Sequence, residues 1–279
     1  MKKESLKNKL KNLYNKNSKH YRYQSIPDFL KGELDYNEVL DHLWRDDLSR
    51  YAFLKKILDK YHIDSIADIG ANSGFFSLSL AHDFTNKKIT AIEQNEIHCQ
   101  FMELIKDCFK ISNLSLNKES LVLNNINKLK KTDLILLFNV LHHAGVDFSQ
   151  DEISNLDVFN LYLSKYLKKM ATRTKYLIFQ MGFNWGGNKQ KPIISLEKDI
   201  EKIKYLIKLF NNESYKILKI IYPHRKKDHF VYQEINKKIL VDLLDNNSEK
   251  LLTNFLEDIN IKNNSEFFRR PIIFAESLM

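Results

Sequence analysis

At 279 residues the chain can bury a full α/β core, and with only seven glycines and four prolines among many Lys and Asn it reads as helix-rich and soluble rather than as a β-sandwich. No apolar run approaches the ~20 residues of a membrane span, the N-terminus lacks a signal-peptide apolar segment, and Cys99 and Cys108 form neither C-x-x-C nor a zinc spacing, so a reduced cytoplasmic setting without a metal is expected. The net charge of +9 admits a nucleic-acid partner, an anionic membrane surface or an anionic small substrate, and equally a merely solvated basic surface, because the lysines are scattered.

Residues 1–24 open with Lys2, Lys3, Lys7, Lys9 and Lys11 against Leu6, Leu10, Leu13 and Tyr14 at helical spacing. That is an amphipathic basic helix, expected to pack on the core as an N-terminal arm, with a membrane or RNA role as the alternative. His20, Tyr21, Arg22 and Tyr23 mix aromatic and basic groups, as an anion or base-stacking site would; they fit a hinge equally well. Residues 35–60 read as one or two helices with Val39, Leu40, Leu43, Trp44, Leu48, Tyr51, Leu54, Ile57 and Leu58 on a buried stripe. Residues 1–60 are thus expected to form a helical arm or lid ahead of a domain at 61–279.

The chain then alternates. Ser65-Ile66-Ala67-Asp68-Ile69 ends in a strand-like apolar run, Gly70-Ala71-Asn72-Ser73-Gly74 makes a tight loop, and an amphipathic run starts at once. Glycines let the backbone turn and approach a ligand, and the helix N-terminus behind them offers unpaired N–H groups to an anion. A second strand at about 88–92 ends in Glu93, about 20 residues past the first glycine, where a carboxylate can take both ribose hydroxyls. Further strands are expected at Leu114–Leu116, 133–138 and Tyr176–Gln180, with helices at about 95–110, 152–170 and 196–210 between and after them. The fourth strand runs into Asn139-Val140-Leu141-His142-His143, and the fifth into the glycine-rich Met181–Asn188 around Trp185. A strand at Lys216–Ile221 is followed by a loop holding His224, Arg225, Lys226, Lys227 and His229; the last strand lies within Phe267–Ala275, leaving about 230–266 as a mostly helical insertion.

The pattern lacks the middle and last glycines of a G-x-G-x-x-G dinucleotide fingerprint, since Asn72 and Phe75 stand there. The D-x-G-A-N-x-G loop, the Glu93 strand end and the N-V-L-H-H segment together resemble the class I S-adenosylmethionine (SAM) dependent methyltransferases. The resemblance implies an α/β, Rossmann-like, seven-stranded sheet with helices on both faces, an N-terminal helical extension and a helical insertion before the last strand. It implies SAM as cofactor and S-adenosylhomocysteine as product. It assigns Gly70, Ala71, Asn72 and Gly74 to the methionyl and ribose loop, and Asp68 to ordering that loop and reaching the ammonium through water. Glu93 falls to the ribose hydroxyls and Asn139 to closing over the methionyl end. Trp44-Arg45-Asp46-Asp47 falls where such enzymes often place a lid, or else a plain supporting helix.

Methyl transfer needs donor and acceptor in line, and a base only for a hydroxyl acceptor. His142 and His143 are the candidate bases. The segment is not N-P-P-Y, which argues against adenine or glutamine nitrogen acceptors. Trp185, His224, Arg225 and Lys226 are candidates to bind the acceptor. The expected activity is O-methylation of a small anionic acceptor, a phosphorylated or nucleotide-linked sugar of surface-polysaccharide metabolism. The alternative is an RNA-modifying enzyme: Trp44-Arg45, Gln100-Phe101 and Leu141-His142-His143 resemble the tRNA wobble-uridine carboxymethyltransferases, which carry Gly where Asn72 stands. The intact Asp68, Gly70, Gly74 and Glu93 speak against a non-catalytic SAM-binding protein.

Overall fold

The computed structural model describes residues 3–38, 40–194, 199–210, 214–227, 229–245 and 249–279, in two compact units, 1–120 and 121–279. Lys2, Val39 of the expected stripe, and residues 196–198 of an expected helix lie outside the described residues.

The first unit is built on three parallel strands in the order β3 (Leu114–Asn117), β2 (Lys88–Ile92), β1 (Ser65–Ile69). Strands buried on both faces need near-continuous apolar runs, and β1 supplies one: Ile66, Ala67, Asp68 and Ile69 are all buried. Helix α1 (Lys3–Asn15) buries Leu6, Leu10 and Tyr14, with the Tyr14 ring 6.0 Å from that of Phe101 on α5 (Glu96–Cys108), so the basic helix is an arm packed on the core. Helix α2 (Phe29–Leu34) follows, and α3 spans Asp47–Leu58. The expected helix over 35–60 is therefore corrected: residues 40–46 are not helical, and Leu43, Trp44 and Leu48 are 44%, 47% and 42% exposed. The reason is a cap. The Asp46 carboxylate accepts from the Ser49 amide at 2.9 Å, which starts the helix there, while the next residue, Asp47, is buried against Arg50 and accepts from Ser25 N at 2.7 Å. Helix α4 (Phe75–Asp83) is buried from Phe75 to Ala81.

The second unit carries five strands in the order β4 (Thr132–Phe138), β5 (Thr174–Gln180), β8 (Ile272–Ser277), β6 (Tyr215–Lys226), β7 (His229–Glu234). Strands β4 and β5 are parallel, β8 runs antiparallel to β5 and β6, and β6 and β7 form a hairpin. Helices α6 (Leu156–Ala171), α7 (Asp199–Phe210), α8 (Lys237–Asp245) and α9 (Lys250–Asp258) complete the unit. The described residues thus hold eight strands rather than the seven expected. The extra strand is β7: Phe230 and Tyr232 are buried between exposed His229 and Gln233, a period of two that opens what reads from sequence as a helical insertion. The last strand also starts later than expected, after a short 3-10 turn at Glu266–Arg269.

Candidate functional site

In the first unit the carboxyl end of β1 delivers the glycine loop. The Gly70 and Ala71 amides both donate to Ile92 O, at 2.8 and 3.1 Å, fastening the loop to the end of β2. Asn72 has φ of 53°, a left-handed conformation that Asn tolerates better than most residues, which is how it stands where the backbone otherwise favours glycine. Its Oδ1 accepts from Ser73 N at 2.8 Å. Gly74 caps α4 with φ of 83°.

Glu93, directly after β2, is 8% exposed and accepts two backbone hydrogen bonds, from Asn72 N and Asn95 N, both at 2.8 Å. Burial works to raise its carboxyl, but the His98 ring beside it and these two amides outweigh burial and hold it below the ordinary carboxylate range. Asp68 is 2% exposed and accepts from the Ser77 hydroxyl at 2.7 Å; burial pushes its carboxyl up to about 6. The segment nearest the loop is 19–24, not 44–47. Asn72 Nδ2 donates to His20 O at 3.2 Å, Asn95 Nδ2 to Lys19 O at 3.1 Å, and the Phe75 amide, at the start of α4, to Gln24 Oε1 at 3.2 Å. Arg45 stacks over the Tyr23 ring at 3.9 Å, and Trp44 meets the same ring edge-on, so the Trp44 segment supports the covering strip.

In the second unit the corresponding strand end is built from residues far apart in sequence. Asn139, with φ of 58°, donates its amide N–H to Gln180 Oε1 at 3.0 Å and accepts from Arg270 Nη1 at 2.8 Å. Gln180 Nε2 returns to Arg270 O at 3.1 Å, closing a ring of three buried side chains, and Arg270 is gripped in turn by Glu266 through Nε at 3.0 and 3.1 Å. Sequence reasoning missed Gln180, Glu266 and Arg270. Their available signal was polar residues bounding two apolar strands.

The glycine-rich stretch closes onto the histidine segment. Gly182 N donates to His142 Nδ1 at 3.2 Å, and a Cβ on Gly182 would lie 2.8 Å from the His142 ring and 3.1 Å from Arg270 Cζ, so only glycine fits. Trp185 is half-buried; its indole N–H is committed to Ala144 O at 2.7 Å, its ring packs on Phe159 at 5.8 Å, and the Lys191 ammonium lies 5.6 Å from the ring centroid. His143 Nδ1 lies 3.2 Å from Asp147 Oδ2, four residues on. The two histidine rings are 4.1 Å apart. His224, Arg225 and Lys226 are not in a loop: they end β6, opposite Val231, Phe230 and His229 of β7, with Arg225 and Lys226 exposed. None of the hydrogen bonds or ring contacts described above reaches them.

No protein-family model matches the chain. Over 121 residues it is 28% identical to the ribosomal RNA small subunit methyltransferase G of Mycoplasma mycoides subsp. mycoides, a match covering 38% of this chain and 88% of that protein. Among solved structures, the bifunctional kinase-methyltransferase WbdD aligns with a TM-score of 0.52 at 16% identity, over 81% of this chain and 44% of that one. EvdMO1 aligns with a TM-score of 0.50 at 11% identity, over 98% of this chain and 47% of that one. The chain spans less than half the length of either. Among the described residues no helix is long and apolar enough to cross a membrane.

Proposed function

The chain carries the class I SAM-dependent methyltransferase fold, and we propose that it transfers the methyl group of SAM to a hydroxyl of a small anionic acceptor. The observation that carries this reading is the glycine loop fastened between β1 and β2, with the Glu93 carboxylate already fixed by two amides at the β2 end. That carboxylate would take the ribose hydroxyls, and Asp68 would face the ammonium side through water. The histidines after β4 supply a proton acceptor, which a hydroxyl requires and a thiolate or carboxylate does not. Arg225 and Lys226, exposed at the hairpin end, and the Trp185 loop support a phosphorylated or nucleotide-linked sugar of surface-polysaccharide metabolism.

A second reading, methylation or carboxymethylation of RNA, is favoured by the likeness to a ribosomal RNA methyltransferase and by the net charge of +9. One experiment separates them. Purified protein and methyl-labelled SAM are incubated with an extract of cells lacking the gene, then fractionated. Label in low-mass or polysaccharide material is expected; label in RNA selects the second reading, and protein that binds SAM but labels nothing refutes both.

Asp68 gives the cofactor site a pH dependence of stated sign. With its carboxyl at about 6, it is ionised at neutral pH and protonated at pH 5, and a bound cation favours the ionised form. SAM affinity, measured by calorimetry, should fall toward tenfold per unit as pH drops below 6, and Asp68→Asn should flatten that slope. A slope identical in the variant would remove Asp68 from cofactor binding.

A further inference from the structure

We infer that His143 is the base that accepts the acceptor's proton, that Asp147 is the residue positioning it, and that His142 is not a base but a fixed donor. This rests on the methyltransferase reading and concerns the same histidine segment.

The two neighbouring imidazoles are held in opposite ways. His142 Nδ1 accepts the Gly182 amide proton at 3.2 Å, so its lone pair is in use and the ring's own proton sits on Nε2. A neutral ring in that tautomer has only a donor to present. The Arg270 guanidinium makes protonation of the same ring less favourable still, since Arg270 Cζ and His142 Nε2 lie 3.1 and 2.8 Å from one point above Gly182. His143 has the reverse arrangement. Its Nδ1 lies 3.2 Å from Asp147 Oδ2, with both side chains largely buried, at 12% and 8% exposure. A carboxylate at that nitrogen draws the ring proton to Nδ1 and leaves the accepting lone pair on Nε2. The pairing is built into the backbone: the Asp147 amide donates to His143 O at 2.9 Å, which turns the chain so that residues four apart share one side. Gly187 keeps that side open, for a Cβ there would stand 3.8 Å from His143 Cε1.

The step balances without a further reactant. The acceptor hydroxyl gives its proton to His143 Nε2 as its oxygen forms the bond to the methyl carbon. The carbon–sulfur bond breaks, its electron pair stays on sulfur as the neutral thioether, and the imidazolium stands against the Asp147 carboxylate until it loses the proton to water.

The test uses the full-length protein, labelled SAM and the extract fraction that takes the label. His143→Ala should slow transfer roughly 10²–10⁴-fold with SAM affinity unchanged by calorimetry, and imidazole in the buffer should restore at least part of the rate. His142→Ala should show no response to imidazole. Asp147→Asn should lower kcat at least tenfold with KM unchanged, and Asp147→Glu should recover part of it. Rescue of His142→Ala instead, loss in His143→Ala without rescue, or wild-type kcat in Asp147→Asn would each overturn the assignment. A His143→Asn variant serves the same purpose if the alanine protein fails to bind SAM. If wild-type label enters RNA, the small-acceptor reading fails while the imidazole result still decides the base; if wild type transfers no methyl at all, both fall.

Discussion

Gly74→Ala should destabilise the protein by about 2–4 kcal/mol and weaken SAM binding with it. Two costs add. The backbone at Gly74 has φ of +83°, a left-handed conformation that costs an L-residue about 1–2 kcal/mol. The new methyl would also lie 2.5 Å from Cγ and Sδ of Met102 and 3.2 Å from Leu78 Cδ1, and forcing a carbon into a filled core costs a further ~1–3 kcal/mol. Met102 is 0% exposed, so it cannot swing into solvent to make room. What yields is the loop itself, together with the amide of Phe75 and the turn from Ala71 O to Gly74 N. Denaturant titration should show a lower midpoint at unchanged slope. Gly32→Ala is the contrast: it sits in α2, where an added Cβ would meet nothing within 4 Å, and should be neutral or mildly stabilising. Equal effects at the two positions would mean that crowding and φ at the loop carry no weight.

The cofactor half of the site was legible because its elements are local. A buried parallel strand is a short apolar run, a tight loop needs glycine or asparagine, and a carboxylate at the next strand end sits at a predictable offset, so Asp68, Gly70, Asn72, Gly74 and Glu93 all fall beside one another in the first unit. The other half depends on partners with no local signature. Arg270 reaches Asn139 across 131 residues, and Gln24 supplies the acceptor for the Phe75 amide across 51. No periodicity announces such contacts. Two errors had readable causes. The stripe from Leu40 through Leu48 keeps helical spacing, yet Asp46 is a capping residue, and a cap ends one element where spacing alone continues it. In β7 the alternation of Phe230 and Tyr232 with polar neighbours was in the sequence, but six residues of it were outweighed by the longer helical runs behind them. For the histidines, sequence placed both at the strand end and could not separate them; the distinction lies in which ring nitrogen meets Gly182 N and which meets Asp147.

Glu93→Ala should cost SAM affinity roughly 10²–10³-fold while also loosening the apo protein, and the two effects have different pH signatures. Hydrogen bonds to a charged acceptor are worth about 1.5–3 kcal/mol each, and two ribose hydroxyls on one carboxylate give that range of affinity. The carboxylate is ready for them because its position is already set: Oε2 accepts from Asn72 N and Oε1 from Asn95 N, each at 2.8 Å, leaving further lone pairs on both oxygens. Removing it strands two amides, one of them buried, at a cost of about 1–3 kcal/mol. Because the Glu93 carboxyl is held below its ordinary value of 4.5, its contribution to stability is present above that value and is lost as pH falls through the depressed one. Wild type and Glu93→Gln should therefore differ in denaturation midpoint at pH 7 and converge in acid. Calorimetry with SAM at pH 7 completes the test. A variant that loses stability but binds SAM as tightly as wild type would reduce Glu93 to an anchor of the loop, and the ribose would have to find its partner elsewhere.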